Sequence, residues 1–88
     1  MPGIAHYEAI RREIVRLLKE ERESWKLSNY AVAKNSGVPE STLSLIERGL
    51  RNPSIELLLR IADGIGADLP ALIKKATATV RAERRRSK

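Results

Sequence analysis

The sequence predicts an all-α protein of five helices, and three observations lead to this fold class. Residues 28–53 have the pattern of two short helices joined by a tight turn. Apolar residues recur at helical spacing both before and after this stretch. No strand is evident in the sequence. The 88 residues leave room for one hydrophobic core, so a single domain is expected.

Helix one is expected to run from about His6 to Glu23. Its inner face is marked by apolar residues spaced i, i+4, i+7, i+8, which are Ile10, Ile14, Leu17 and Leu18. Its other faces carry charges of both signs, which is typical of a solvated helix surface. In the connection that follows, Leu27 is expected in the core. Trp25 either covers the edge of the core or belongs to a partner surface.

Helices two and three are marked by cap and turn residues. Ser28 can cap helix two, and Gly37 can adopt the positive φ that ends it. Pro39 opens helix three, where its missing N–H is not needed. The residues expected to be buried between the two helices are Val32, Ala33, Val38, Leu43 and Ile46. This is the layout of a helix-turn-helix, whose second helix enters the major groove of DNA.

Helices four and five follow from the same kinds of signal. Ser54 is a suitable cap for helix four, and Gly66 is placed to end it. Its apolar face is predicted to comprise Ile55, Leu58, Leu59, Ile61, Ala62 and Ile65. Asp68 caps helix five, whose first apolar residues are Leu69, Leu72 and Ile73. We place the domain at residues 1–75 and a basic tail at 76–88, which can extend helix five before a frayed end, RRRSK.

The net charge of +6 is unevenly distributed. Residues 1–26 hold six basic and five acidic residues, and residues 27–73 hold four basic and five acidic ones. Residues 74–88 hold seven basic residues and one acidic residue, so the excess lies in the tail. The tail is either an arm that binds phosphate without sequence preference or an inert solvated segment.

Composition excludes several function classes. The chain has no cysteine and one histidine, so neither a metal site nor a cofactor is expected. No nucleophile–base pair is recognisable, and we expect no enzyme activity. No apolar run reaches the length of a membrane span, and no signal peptide is seen, which predicts a cytoplasmic protein without membrane contact.

The string GVPESTLSLIERGLRNPS, residues 37–54, is specific enough to indicate a family. Its Glu47-Arg48-Gly49 and Arg51-Asn52-Pro53 occur in register after the turn. From about Ile10 to Ile73 the chain resembles the lambda-repressor-like helix-turn-helix family, the phage repressor and Cro, or xenobiotic-response-element, type. The resemblance implies a compact five-helix DNA-binding domain in which helices two and three form the helix-turn-helix. It also implies a structural ion pair between Arg22 and Glu47.

The resemblance implies the site residues as well. The base-reading positions of helix three are Glu40, Ser41, Ser44 and Leu45. The phosphate contacts are expected from Asn29, Lys34, Thr42, Arg48, Arg51 and Asn52. Thr42 can alternatively bond a buried backbone group, and Glu40 can serve the helix dipole instead of accepting from a cytosine amino group. Leu69, Leu72 and Ile73 form either core or the dimer contact.

Two functions remain from these patterns. The first is a sequence-specific regulator of transcription, a repressor, which binds double-stranded DNA as a homodimer on a palindromic operator. The alternative is a protein-interaction module, such as a bridging factor or an antitoxin-like scaffold, that keeps the fold and binds a protein partner. Glu40, an exposed Leu45 and the slightly acidic residues 27–73 favour this alternative.

Overall fold

Five α-helices make up most of residues 3–86, the part of the chain that the computed structural model describes. They are α1 (Ile4–Ser24), α2 (Asn29–Ser36), α3 (Glu40–Glu47), α4 (Ile55–Ile65) and α5 (Leu69–Arg86). No strand occurs within residues 3–86. The predicted all-α, five-helix fold is therefore confirmed.

The ends of the helices follow local sequence signals. Side-chain oxygens of Ser28, Ser54 and Asp68 each accept a hydrogen bond from the backbone N–H three residues later, at 3.1, 3.1 and 3.2 Å. Gly37 and Gly66 end α2 and α4 with φ of 75° and 84°. L side chains rarely adopt such angles, so these two helices end where the sequence predicted.

The core is aliphatic and draws on all five helices. α1 packs mainly along α5, α2 packs mainly on α4, and α1 also contacts α3 and α4. The buried apolar side chains are Ile14, Leu17, Leu18, Val32, Val38, Leu43, Ile46, Leu58, Ile61, Ala62, Ile65, Leu69 and Ala76. Because phenylalanine is absent from the chain, close packing here depends on branched aliphatic side chains and on short interhelical distances.

Helices α2 and α4 approach each other closely at Gly64. A Cβ atom at this position would stand 2.8 Å from Ser36 Cβ and 3.2 Å from the Val32 carbonyl oxygen. The Gly64 carbonyl oxygen also accepts a hydrogen bond from Asn35 Nδ2 at 3.3 Å. A glycine inside α4 therefore allows α2, the first helix of the helix-turn-helix, to lie directly against it.

Several apolar residues differ from their predicted positions. Trp25 is 63% exposed, so the prediction that it covers the core edge is wrong. Ile55 and Leu59 are 61% and 48% exposed, because α4 turns this side of its surface away from the other helices. Leu69 is buried, which places it in the core and removes it from the predicted dimer contact. Leu72 and Ile73 are half-buried and pack against the core.

Helix α5 continues through the boundary that was placed after residue 75. Ala76, at the start of the predicted tail, is fully buried, so the tail begins as part of the packed domain. The helix reaches Arg86, so residues 84–86 of the end that was expected to fray are helical in the structure. Residues 87–88 of the tail and residues 1–2 of the predicted domain lie outside the described residues.

The beginning of α1 and the end of α5 meet at His6. This side chain is 8% exposed, and its ring packs edge-on against Tyr7 with centroids 5.3 Å apart. Neither ring nitrogen has a hydrogen-bond partner within residues 3–86. Burial, followed by the positive charges of Arg84 and Arg81, lowers the pKa of His6 below its ordinary 6.5. The folded protein therefore favours the neutral imidazole.

Candidate nucleic-acid interface

The turn between α2 and α3 fixes the angle at which α3 leaves the domain. The Gly37 N–H donates to the Ala33 carbonyl oxygen at 2.9 Å, and the Val38 N–H donates to Ser36 Oγ at 3.1 Å. Val38 is buried, so the turn is tied to the core as well as to α2. The two helices consequently form one rigid unit, and α3 has one defined orientation.

The two sides of α3 have different environments. Leu43 and Ile46 are buried against the core. Glu40, Ser41 and Leu45 are exposed, and Ser44 is half-buried. At about 100° per residue these four lie within roughly 140° of the helix circumference. The structure therefore brings the four predicted base-reading residues together on one outward surface, which we call the α3 face.

Thr42 lies beside Ile46, between the core side of α3 and the edge of the α3 face at Leu45. It is 8% exposed and is grouped with the buried polar residues. Little of this side chain is accessible to a phosphate outside the protein. The phosphate contact of Thr42 stays a prediction, as does its alternative bond to a buried backbone group.

Arg22 and Glu47 join the end of α1 to the end of α3. Arg22 Nε donates to Glu47 Oε2 at 2.8 Å and Nη2 donates to Oε1 at 3.1 Å. Arg22 Nη1 donates to the Leu27 carbonyl oxygen at 2.7 Å. The side chains are only 14% and 17% exposed, so both charges are shielded from water. This two-point contact holds α3 in place from its C-terminal end.

Asn29 lies beside this ion pair. Its Nδ2 donates to Glu47 Oε1 at 3.4 Å, and its buried Oδ1 has no hydrogen-bond partner among residues 3–86. The amide predicted to bind phosphate is thus already directed at a carboxylate. The structure associates Asn29 with the ion pair that supports α3, and its phosphate contact stays a prediction.

The remaining predicted phosphate contacts lie on either side of the α3 face. Arg48, Arg51 and Asn52 are all exposed in the loop that follows α3. Lys34 is exposed on α2, with Nζ 6.0 Å from the centre of the Tyr30 ring. Lys34 lines a surface hollow together with Glu40, and Arg48 follows Glu47, so cationic side chains lie near both ends of α3.

A further cleft opens between α1 and the loop after α3, and sequence reasoning missed it. It has a volume of about 360 Å³ and an apolar lining from Val15, Ile46 and Pro53. We call it the α1–loop cleft. Its cationic lining consists of Arg11, Arg12, Arg16, Lys19, Arg48 and Arg51. The i, i+4, i+7 spacing of residues 12, 16 and 19 indicates a shared helix face, but does not reveal that the loop lies opposite.

Residues 3–86 contain no group of three or more histidine, cysteine, aspartate or glutamate side chains able to hold a metal ion. None of the helices described is long and apolar enough to cross a membrane.

The fold and the outward α3 face define a class, the helix-turn-helix DNA-binding domain. A helix-turn-helix family model matches residues 18–72, more than half of the chain. The protein therefore belongs to the lambda-repressor-like, xenobiotic-response-element type of helix-turn-helix family, which is typically non-enzymatic.

Two curated relatives are similar to part of the chain. Both are named as uncharacterised HTH-type transcriptional regulators and come from two strains of Mycobacterium tuberculosis. Each is 36% identical over 59 residues, which is 67% of this chain and 42% of the relative. The chain thus spans less than half the length of these relatives. No solved structure matches it significantly.

Proposed function

We propose that this protein is a sequence-specific regulator that places α3 in the major groove of double-stranded DNA. The observation that carries the proposal is the α3 face, an outward surface of four predicted base-reading residues. The turn at Gly37 supports that surface at one end, and the Arg22–Glu47 pair supports it at the other. Rigid placement favours recognition, because less conformational freedom is lost on binding.

The proposal includes a symmetric dimer that represses transcription. α3 has eight residues and so covers a short half-site. Two copies related by a two-fold axis present two such helices about 34 Å apart, on a palindromic site. A dimer covering that length of promoter DNA excludes polymerase from it, without any activating contact. Sedimentation equilibrium with and without the bound duplex measures the expected two copies per site.

Selection of bound duplexes from a random pool tests sequence recognition. The expected result is an enriched palindrome with half-sites about one helical turn apart. The double variant Ser41→Ala/Ser44→Ala is expected to weaken binding to that duplex by roughly tenfold, or about 1.4 kcal/mol. Ser24→Ala, at the exposed end of α1, is the matched control and should bind as wild type. A pool that stays random after repeated selection refutes the proposal.

The second candidate function is a protein-interaction module. Leu45 and Leu50 are 37% and 63% exposed, and they are linked by a 2.9 Å hydrogen bond from the Leu50 N–H to the Leu45 carbonyl oxygen. This places two exposed leucines at the C-terminal end of α3. Mobility shifts at physiological salt distinguish the two functions. Binding that is confined to low salt and shows no sequence preference favours the interaction module.

A further inference from the structure

The α1–loop cleft is strongly cationic. Glu47 is the one carboxylate lining it, and Glu47 is already paired with Arg22. Arg12 pairs with Glu8, and Arg16 pairs with Glu13 and Glu20 along α1. The other four cationic residues make no ion pair within residues 3–86: Arg11, Lys19, Arg48 and Arg51.

Four cationic side chains without carboxylate partners surround the α1–loop cleft and repel one another. An anion in the cleft relieves this repulsion, so the four charges together raise the affinity of the cleft for an anion. The apolar residues beneath them, Val15 and Ile46, exclude water from part of the surface and offer no compensating charge. An anion that enters the cleft therefore meets cationic side chains from two elements, α1 and the loop.

The position of the cleft indicates which anion this is. Arg48 directly follows α3, so the cleft begins where the α3 face ends. Arg12 and Lys19 are seven residues apart, or about 10 Å along α1. One DNA strand advances about 3.4 Å per nucleotide along the duplex axis, so this length accommodates about three nucleotides. Arginine forks also suit phosphate oxygens.

We infer that the α1–loop cleft binds the sugar–phosphate backbone of a DNA strand that leaves the groove occupied by α3. This inference rests on the proposed function and extends it, because Arg11, Arg12 and Arg16 precede the segment matched by the family, residues 18–72. Residues 27–73 are slightly acidic, and the cleft adds basic side chains of α1 to those of the loop after α3.

The test uses the full chain and the salt dependence of its binding to a labelled mixed-sequence duplex of about 30 base pairs. Lys19→Gln should reduce the log–log slope by about 0.9, and Arg11→Gln/Lys19→Gln by about 1.8, which corresponds to one and two phosphates. Lys74→Gln is the matched control, since this exposed lysine lies on α5, does not line the cleft and precedes the predicted tail of residues 76–88. It should keep the wild-type slope. A double variant with the wild-type slope overturns the inference.

Sequence preference separates this inference from the proposed function. Phosphate contacts do not read bases, so the cleft variants should lose affinity by the same factor on the selected duplex and on the mixed-sequence duplex. If wild type shows no preference for any duplex while the cleft variants still lose slope, the proposed function fails and the cleft inference stands. If wild type prefers one duplex and the cleft variants keep the wild-type salt slope, the proposed function stands and the cleft inference fails.

A small anion is the other source of phosphate chemistry. Calorimetric titration with inorganic pyrophosphate, at constant ionic strength and without DNA, measures it directly. Suppose that pyrophosphate binds saturably, that Arg11→Gln/Lys19→Gln abolishes this binding, and that the salt slope of DNA binding is unchanged. The cleft is then a site for a small anion, and the inference that it binds a DNA strand is overturned. The lack of saturable pyrophosphate binding, together with the expected loss of slope, supports the strand. Melting curves of the variants confirm that each is folded.

Discussion

Replacement of Gly64 by alanine tests the close contact between α2 and α4. The added Cβ would stand 2.8 Å from Ser36 Cβ, an atom bonded directly to the α2 backbone and unable to rotate away. Carbon atoms pack best at about 3.5–4.0 Å, so the helices must separate by nearly 1 Å. Overpacking of this kind costs about 3 kcal/mol, while alanine's better helix propensity returns about 1 kcal/mol. The expected net loss of stability is about 2 kcal/mol.

Thermal denaturation followed by circular dichroism measures this loss. For a domain of this size, about 2 kcal/mol corresponds to a decrease in Tm of roughly 8–16 °C. Gly3→Ala is the control, since a Cβ there has no atom within 4 Å, and it should cost about 0.5 kcal/mol as a poorer N-cap.

The double variant Gly64→Ala/Ser36→Gly completes a double-mutant cycle that isolates the contact between these two positions. Ser36→Gly removes the atom that the new Cβ would strike, so Gly64→Ala should cost clearly less in this background than in wild type. The Ser36→Gly single variant accounts for the lost hydrogen bond from the Val38 N–H. A Gly64→Ala protein that melts within about 2 °C of wild type would refute the steric argument.

Three further predictions concern charge. Glu47→Ala should destabilise the fold by about 2–4 kcal/mol in urea denaturation, because Arg22 is left shielded without its partner; a change below about 0.5 kcal/mol contradicts this. The Tm should fall as pH decreases below 6.5, because unfolded His6 takes up a proton more readily than folded His6, whose pKa is lowered. His6→Leu should remove that part of the pH dependence, and a Tm–pH profile identical to that of wild type would contradict the role of His6. Arg85→Gln/Arg86→Gln should reduce the salt slope of DNA binding by up to about 1.8, while an unchanged slope excludes phosphate contacts by these two arginines.

Local signals in the sequence were sufficient to predict the ends of α2 and α4. Ser28 and Ser54 cap helices through contacts three residues away, and Gly37 and Gly66 end them through their own backbone angles. Such interactions depend only on neighbours along the chain. Residue type and spacing therefore predict them without knowledge of the tertiary structure.

Positions that depend on the packing between helices were harder to predict. Ile55 and Leu69 are both apolar and both begin a helix, yet one is 61% exposed and the other 3% exposed. From the sequence, Gly64 only lowers the helix propensity of α4; the structure shows that α2 packs too closely against it for a larger residue. The same limit applies to the candidate site. The α3 face follows from helical periodicity, whereas the α1–loop cleft exists only because two distant segments meet.

The exposure of Trp25 decides how this protein can be followed in solution. It is the chain's single tryptophan, and its indole already lies largely in water in the native state. Denaturation therefore changes the surroundings of this fluorophore little, and its emission will report poorly on unfolding. The same side chain follows the last residue of α1, three positions after Arg22. Its quenching can therefore reveal a molecule that docks at that end of the helix while the protein stays folded.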